Sequence, residues 1–285
     1  MPIEVATVDD DPQVPPHADV VVVGGGIIGV STAYFLAEGG LRVVLCEKGV
    51  IAGEQSSRNW GWCRSMGRDP REIPLMLESL SIWRGLNGRI DDETGFRQTG
   101  TLYICPDEAA YAKREAWLPH ARENGIESVL LRGSQVNEVL TGAARSWTGA
   151  LYTPGDGVAE PSLAAPAIAR AARRLGATIL QRCAVRGLDM QTGRVTGVVS
   201  ERGRIRADRV VLAGGAWSSL FAAAVGIRFP QLKVLASVLR TMPTTEGPAT
   251  AAWGPGLALR KRLDVEPIAQ RWANRVGPIL AQHWR

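Results

Sequence analysis

The stretch Asp19-Val-Val-Val-Val-Gly-Gly-Gly-Ile-Ile-Gly-Val-Ser-Thr-Ala-Tyr-Phe-Leu-Ala-Glu-Gly-Gly-Leu-Arg-Val-Val-Leu-Cys-Glu-Lys48 decides the fold. Val20 to Val23 are four β-branched residues in a row, a strand apolar enough to be buried on both faces. Gly24, Gly26 and Gly29 follow in G-x-G-x-x-G spacing, and Ile27 to Glu38 reads as a helix stopped by Gly39-Gly40. A second buried strand, Leu41 to Cys46, ends on Glu47. In such a unit the first glycine permits the tight turn and the second lets a pyrophosphate approach the backbone. The third lets the helix pack close to the sheet. The diphosphate then takes the free N–H groups at the positive end of the helix. Glu47 would accept hydrogen bonds from ribose hydroxyls and repel a 2′-phosphate. A purely structural glycine turn would leave the position of Glu47 without a reason. Strand, glycines, helix, strand and acid in register predict a dinucleotide site.

Beyond Glu47, residues 48–64 form a loop dense in small hydroxyls and glycines, with two tryptophans. Ser56 and Ser57 offer donors to phosphate, and Arg58 a neutralising charge. Arg71 to Ile90 has helical period, with Ile73, Met76, Leu77, Leu80, Trp83 and Leu86 on one face, which is a core face. Phe96 to Cys105 reads as a strand, Asp107 to Asn124 as a helix, Thr148 to Tyr152 as a strand, and Gly155-Asp156-Gly157 as a turn. Pro161 to Leu175 is an alanine-rich helix ended by Gly176, followed by a buried strand from Ala177 to Val185. Val195 to Val199 and Arg204 to Ala207 read as a hairpin. Asp208 to Leu212 is a further buried strand, running into Gly214-Gly215 and a helix from Ser218 to Val225. Leu232 to Arg240 is strand-like, and residues 265–285 carry no clear period.

Composition excludes several classes. Apolar residues are 45% and charged residues 21% of the 285, ordinary for a soluble enzyme. Net charge is +5, although Glu4, Asp9, Asp10, Asp11 and Asp19 make the start acidic. No basic run interleaves with aromatics, so nucleic acid is not expected as a partner. Cys46, Cys63, Cys105 and Cys183 form no C-x-x-C pair, which argues against a metal site or a disulfide framework. No signal peptide and no run of membrane-spanning length is read, so the expected compartment is the cytoplasm.

The chain resembles the FAD-dependent oxidoreductases of the D-amino-acid oxidase type, in particular the D-amino-acid dehydrogenase branch, from about Asp19 to about Leu280. The residues that carry the resemblance are Val22 to Gly29, Gln55-Ser56-Ser57-Arg58-Asn59-Trp60-Gly61-Trp62-Cys63-Arg64, Glu160-Pro161, and Asp208 to Ser218. It implies an α/β fold: an interrupted Rossmann-type FAD-binding domain, parallel sheet plus β-meander, with an interleaved α+β substrate domain. On this reading residues 1–18 are a disordered lead-in. Residues 19–59 and 152–227 bind FAD, and 60–151 and 228–285 form the substrate domain. Gly24, Gly26 and Gly29 would hold the pyrophosphate and Glu47 the ribose. Lys48, Ser56, Ser57 and Arg58 would lie along the cofactor, Val185 would meet the adenine, and Gly214, Gly215 and Trp217 would line the other side. No histidine stands between Ser56 and Gly61, so FAD is expected to be non-covalent.

The implied reaction is oxidation of the CH–NH group of a D-amino acid or related amine by hydride transfer to flavin N5, with a quinone or oxygen as acceptor. No catalytic acid or base is assigned. A carboxylate substrate calls for a bidentate arginine. Arg260 and Arg262 are candidates, with surface charges beside Asp264 as the equal alternative. Family members continue for a domain-sized segment beyond Leu280, so the chain is expected to be truncated, with exposed sheet edges. The competing functional reading is a catalytically inactive remnant that keeps only a nucleotide-binding half. An NAD-dependent dehydrogenase has little support, because no Lys, His or Tyr cluster follows the motif.

Overall fold

The structure, a computed structural model, describes residues 4–234 and 247–263. The expected strand from Leu232 to Arg240, the tail 265–285 and Asp264 lie wholly or largely outside the described residues. In chain order the elements are β1 (His17–Val23), α1 (Ile27–Glu38), β2 (Val43–Cys46), β3 (Trp62–Cys63), α2 (Ile73–Ile90), β4 (Thr101–Cys105), α3 (Glu108–Glu115), α4 (Leu118–Glu123), β5 (Val129–Arg132) and α5 (Ser134–Val139). They continue with β6 (Gly149–Thr153), β7 (Gly157–Val158), α6 (Pro161–Arg174), β8 (Thr178–Leu180), β9 (Val185–Gln191), β10 (Arg194–Ser200), β11 (Gly203–Leu212), α7 (Ser218–Ala224), β12 (Ala251–Gly254) and β13 (Leu257–Leu259).

The chain divides into two compact units. The first takes residues 1–59, 88–94 and 161–236, and the second takes 60–87, 95–160 and 237–285. The crossing into the first unit comes at Pro161 rather than at 152. β6 and β7 hold residues 149–158 in the second unit, since β6 pairs with β4 and β5 and β7 pairs with β3.

The first unit is built on a six-stranded sheet in the order β8-β2-β1-β11-β10-β9. β8, β2, β1 and β11 run parallel, and β9, β10 and β11 form an antiparallel meander. The hairpin strand and the later buried strand of the sequence reading are one ten-residue strand, β11. One end pairs with β10 while the whole length from Arg206 to Leu212 lies along β1. Conversely, the strand expected from Ala177 to Val185 breaks after Leu180, because the chain leaves β2 there and Val185 starts the meander. Ala18, Val21, Val44, Leu180, Val198, Ile205 and Ala207 form its core. On the sheet's helical side α1 packs on α6. The contact suits small side chains: Gly29, Ala33 and Ala37 are buried on α1, and six alanines are buried on α6.

The second unit holds a five-stranded sheet in the order β13-β12-β4-β6-β5 and the small β3–β7 ribbon. The single helix expected over Asp107 to Asn124 is two helices, with Pro119 in the first turn of α4. Proline tolerates a helix start and interrupts a helix interior, which places the break. β5 and α5 escaped the sequence reading because neither has a length of regular period.

Residues 4–18 of the acidic lead-in are not disordered; this expectation is corrected by their contacts. β8 is an edge strand, and its outer backbone groups need partners. Asp11 supplies them: its N–H donates to the Ile179 carbonyl (2.9 Å) and its Oδ2 accepts from the Ile179 N–H (2.8 Å). Asp10 Oδ1 accepts from Gln181 N–H (2.8 Å). Arg173 pairs with Asp11 and Arg202 with Asp10. Further back, Pro166 inside α6 has no N–H for the Ser162 carbonyl, and the Ala6 N–H donates to that carbonyl at 3.0 Å. The arm therefore fills two defects of the unit it lies on. Asp11→Ala should lower unfolding free energy by about 1–3 kcal/mol, the usual cost of leaving a buried N–H without its acceptor. A urea midpoint equal to that of the unaltered chain would contradict this account of the arm.

Candidate functional site

The carboxyl ends of β1, β2, β8 and β11 lie side by side, and β1 is the switch point of the sheet. From β1 the chain leads through α1 to β2 on one side, while β11 arrives much later on the other. Open α/β sheets bind ligands at such a crevice. The ladder closes across the turns: Gly24 N–H donates to Cys46 O, Glu47 N–H to Leu180 O and Ala213 N–H to Val23 O, each at 2.8 Å.

The three motif glycines have separable jobs. Gly24 has φ +114°, and an added Cβ would stand 2.4 Å from the Ala213 carbonyl oxygen. A Cβ on Gly29 would fall 1.8 Å from the Gly24 carbonyl oxygen. Both are therefore required by the packing of backbone on backbone. Gly26 caps α1 in an ordinary extended conformation and brings no side chain to the cap. A Cβ there would meet only Ser56 Oγ within 4 Å, at 2.9 Å. The space beside Gly26 is an open cradle at the positive end of a twelve-residue helix.

Glu47 is 8% exposed, and both carboxylate oxygens accept from backbone: Oε2 from Gly25 N–H and Oε1 from Gly49 N–H, each at 2.7 Å. A carboxylate has roughly four acceptor positions, so each oxygen keeps room for a further donor such as a hydroxyl. Cys183 N–H donates to the Glu47 carbonyl at 2.8 Å, which brings the segment leading into Val185 beside it. Ser56 Oγ accepts from Ile27 N–H (2.8 Å) and so caps α1 from a distant part of the chain. Ser57 and Arg58 turn the other way. The Ser57 hydroxyl donates to Glu54 O, and the Arg58 guanidinium to Gly53 O and to the Glu54 carboxylate. Lys48 pairs with the same Glu54 carboxylate (2.7 Å) and lies 4.2 Å from the Trp217 ring centre. Gly215 has φ +53° with open space around it, and Gly214 approaches only Ser218 and Leu212. The structure thus gathers Gly24, Gly26, Gly29, Glu47 and Ser56 at one turn. Lys48 and Trp217 meet each other nearby, and Glu54 is a member of the loop network that sequence alone did not single out.

In the second unit Arg260 and Arg262 are neither exposed nor free. Glu160, fully buried, receives Arg260 on both oxygens (3.1 and 3.2 Å) and Arg262 on Oε1 (3.0 Å). A different arginine has no carboxylate in ion-pair contact among the described residues. Arg64 follows β3, lies 5.5 Å from the Tyr103 ring centre and donates to the Met66 carbonyl. Arg114 stacks on the same ring at 4.5 Å. Burial pushes the Arg64 guanidinium below the ordinary arginine range; Arg68 and Arg114 add repulsion, which Tyr103 and the Asp156 carboxylate partly offset. Among the described residues no carboxylate comes within ion-pair distance of Arg64 or Arg114. Two buried donors nearby, Trp62 Nε1 and Arg68 Nε, have no partner among the described residues. Cys63 is no nucleophile here, because burial pushes its thiol up to about 12. Among the described residues no group of acids, histidines or cysteines is arranged to hold a metal ion, and no helix is long and apolar enough to cross a membrane.

A parallel-sheet crevice with an open glycine cradle, a capped helix start and an acid closing the next strand defines a dinucleotide-binding protein. Residues 19–274 match the family described as FAD dependent oxidoreductase, and the chain belongs to that D-amino-acid-oxidase-type family. Sarcosine oxidase subunit beta of an Arthrobacter species is 33% identical over 228 residues, 77% of this chain and 56% of that relative. The L-amino acid deaminase of Proteus myxofaciens, solved with anthranilate, superposes with a TM-score of 0.83 at 32% identity, covering 92% of this chain and 60% of that one. Glycine oxidase of Bacillus cereus gives 0.65 at 31%, covering 73% and 58%. The chain spans about half the length of the first two curated relatives. FAD is the cofactor of the family, and the residues at the turn fit its diphosphate and ribose.

The glycines give a discriminating pair of variants. Gly29→Ala should cost about 3 kcal/mol or more, since backbone must move. Gly26→Ala should cost about 1 kcal/mol or less, since a cap residue changes and only Ser56 Oγ must yield, and yet it should abolish flavin retention. Thermal unfolding and the flavin absorbance of the purified proteins read the two effects separately. A yellow Gly26→Ala protein would remove the diphosphate from this turn.

Proposed function

We propose that this chain binds FAD non-covalently at the turn of Gly24, Gly26 and Gly29 and oxidises the CH–NH group of an amino acid or N-methylated amino acid. The observation that carries the proposal is the cradle beside Gly26, open where a diphosphate needs bare backbone and flanked by the Glu47 carboxylate. When bound, FAD supplies the hydride acceptor at its N5, and the resulting imine hydrolyses to an oxo acid. The chain's own residues do the holding. The first turn of α1 offers N–H groups to the diphosphate, Glu47 accepts from the ribose, and the backbone around Val185 meets the adenine. Lys48 and Trp217 line the approach on the side of Gly214 and Gly215.

For the substrate carboxylate we propose Arg64 in place of Arg260 and Arg262, which are both already engaged by Glu160. A desolvated guanidinium with no carboxylate in ion-pair contact among the described residues, beside two buried donors without acceptors there, favours an anionic ligand. By their names the relatives act on sarcosine, glycine and L-amino acids, and amino acids and their N-methyl derivatives are the proposed class. A D-amino acid remains within it. Oxygen or a quinone as acceptor, and the cytoplasm as compartment, belong to the same proposal.

Anaerobic reduction separates the readings. The purified protein should be yellow, and sarcosine, glycine, or a D- or L-amino acid should bleach it. A yellow protein that none of them bleaches would favour the competing reading, a nucleotide-binding piece without turnover. A colourless one would remove the flavin site. Arg64→Gln should raise KM for the carboxylate substrate roughly 10- to 100-fold, the worth of one charge-assisted contact, with flavin content unchanged.

A further inference from the structure

Asp156 sits in the turn between β6 and β7 and is fully buried. Its carboxylate takes four hydrogen bonds. Oδ1 accepts from Ser65 N–H (2.7 Å) and the Ser65 hydroxyl (2.8 Å); Oδ2 accepts from the Thr101 hydroxyl (2.6 Å) and Met66 N–H (3.2 Å). Three of the four donors belong to the two residues that follow Arg64. On the other side of Arg64, Cys63 pairs with Gly157, the neighbour of Asp156, in the β3–β7 ribbon. The backbone of Arg64 is therefore clamped front and back by one turn. The Met66 carbonyl, which accepts from Arg64 Nη1, belongs to a residue that Asp156 holds by its N–H.

A buried carboxylate with no guanidinium on it is costly unless donors surround it. Asp156 is retained in that condition although it touches no other charged group by hydrogen bond. An ionised carboxylate is the side chain that accepts only, at four places, and an amide of the same shape would turn its NH2 toward two of the donors. We infer that Asp156 is the positioning residue that sets residues 64–66 so that the Arg64 guanidinium meets a ligand carboxylate. The inference rests on the reading of Arg64 given above. It makes the turn Gly155-Asp156-Gly157 a determinant of specificity for acids over their neutral analogues. Asp156 touches no substrate itself; it acts through Arg64, whose guanidinium its charge also favours.

The test uses the flavin-loaded full chain with two probes, anthranilate and its carboxamide, 2-aminobenzamide, with binding followed calorimetrically. The unaltered chain should prefer anthranilate. Arg64→Gln and Asp156→Asn should each weaken anthranilate about 10-fold. Both should leave 2-aminobenzamide and flavin content unchanged, and the double variant should be no weaker than Arg64→Gln alone, since one acts through the other. Arg64→Gln weakening anthranilate while Asp156→Asn does not would overturn the positioning role and leave the Arg64 reading standing. An unaltered chain that does not distinguish the two probes, or Arg64→Gln without effect, would sink both. Ser65→Ala guards against a misfolded Asp156→Asn. It removes the hydroxyl contact and keeps the N–H contact, and should weaken anthranilate about threefold with the carboxamide unaffected. No change there, in the presence of the Arg64→Gln effect, would also overturn the proposal.

Discussion

The first unit is organised by the need to keep a turn of bare backbone open. N–H groups meant for a ligand cannot be satisfied by their own helix, yet the turn that carries them must hold one shape. Glu47 resolves this from the side: its two oxygens tie Gly25 to Gly49, so that β1 and β2 are joined at the carboxyl end beyond their own ladder. Ile27 borrows a cap from Ser56. Ala52 adopts φ +58°, a conformation alanine rarely takes, and its N–H donates to the Gly25 carbonyl at 3.0 Å. Strain of order 1 kcal/mol or more at Ala52 is accepted where it helps to fix the turn.

Charge is distributed on a consistent principle. Where a unit needs only mechanical joints, bases are held by acids: Arg42 by Asp19, Arg89 by Glu38, Arg170 by Asp92, and both Arg260 and Arg262 by Glu160. Arg64 and Arg114 depart from that pattern. Both face an aromatic ring, which attracts a cation weakly, and neither has a carboxylate within ion-pair distance among the described residues. Contrast within one chain therefore distinguishes a structural arginine from one held in reserve more sharply than burial does. Arg260 is the more buried of the two kinds and the less available.

The sequence showed the architecture of the first unit because its signals are local. Valine runs, a glycine spacing and a helix of small residues each depend on neighbours within a turn or two. It also placed Glu47, since the acid follows its strand directly. What it missed depends on partners far apart in the chain. Ser56 looked like a phosphate donor, and its cap on Ile27 across 29 residues leaves no local trace. The acidic arm read as disordered because its composition is polar; its order comes from Arg173, Arg202 and the edge of β8. Nothing near Arg260 and Arg262 in the sequence announces Glu160 as their partner. Asp156 did carry a faint signal, an acid flanked by two glycines, but a surface turn has the same composition.

The arm also shows how far the site extends behind the residues that touch a ligand. Gln181 receives the arm twice, donating its backbone N–H to Asp10 Oδ1 and its side-chain amide to the Val8 carbonyl (2.7 Å). Its own Oε1 accepts from Ile51 N–H at 2.8 Å. The Ile51 side chain, fully within the core, packs where a Cβ on Gly25 would have to go, 2.7 Å from that position. Gly25 in turn is the residue whose N–H Glu47 holds. Residues 8–11 are thus linked by consecutive contacts to the turn: arm to Gln181, Gln181 to Ile51, Ile51 to Gly25. Gln181 and Ile51, the two middle members, are buried, so the bond between them has no water to replace it. The polar segment that composition reads as disordered is structurally linked to the turn at Gly25.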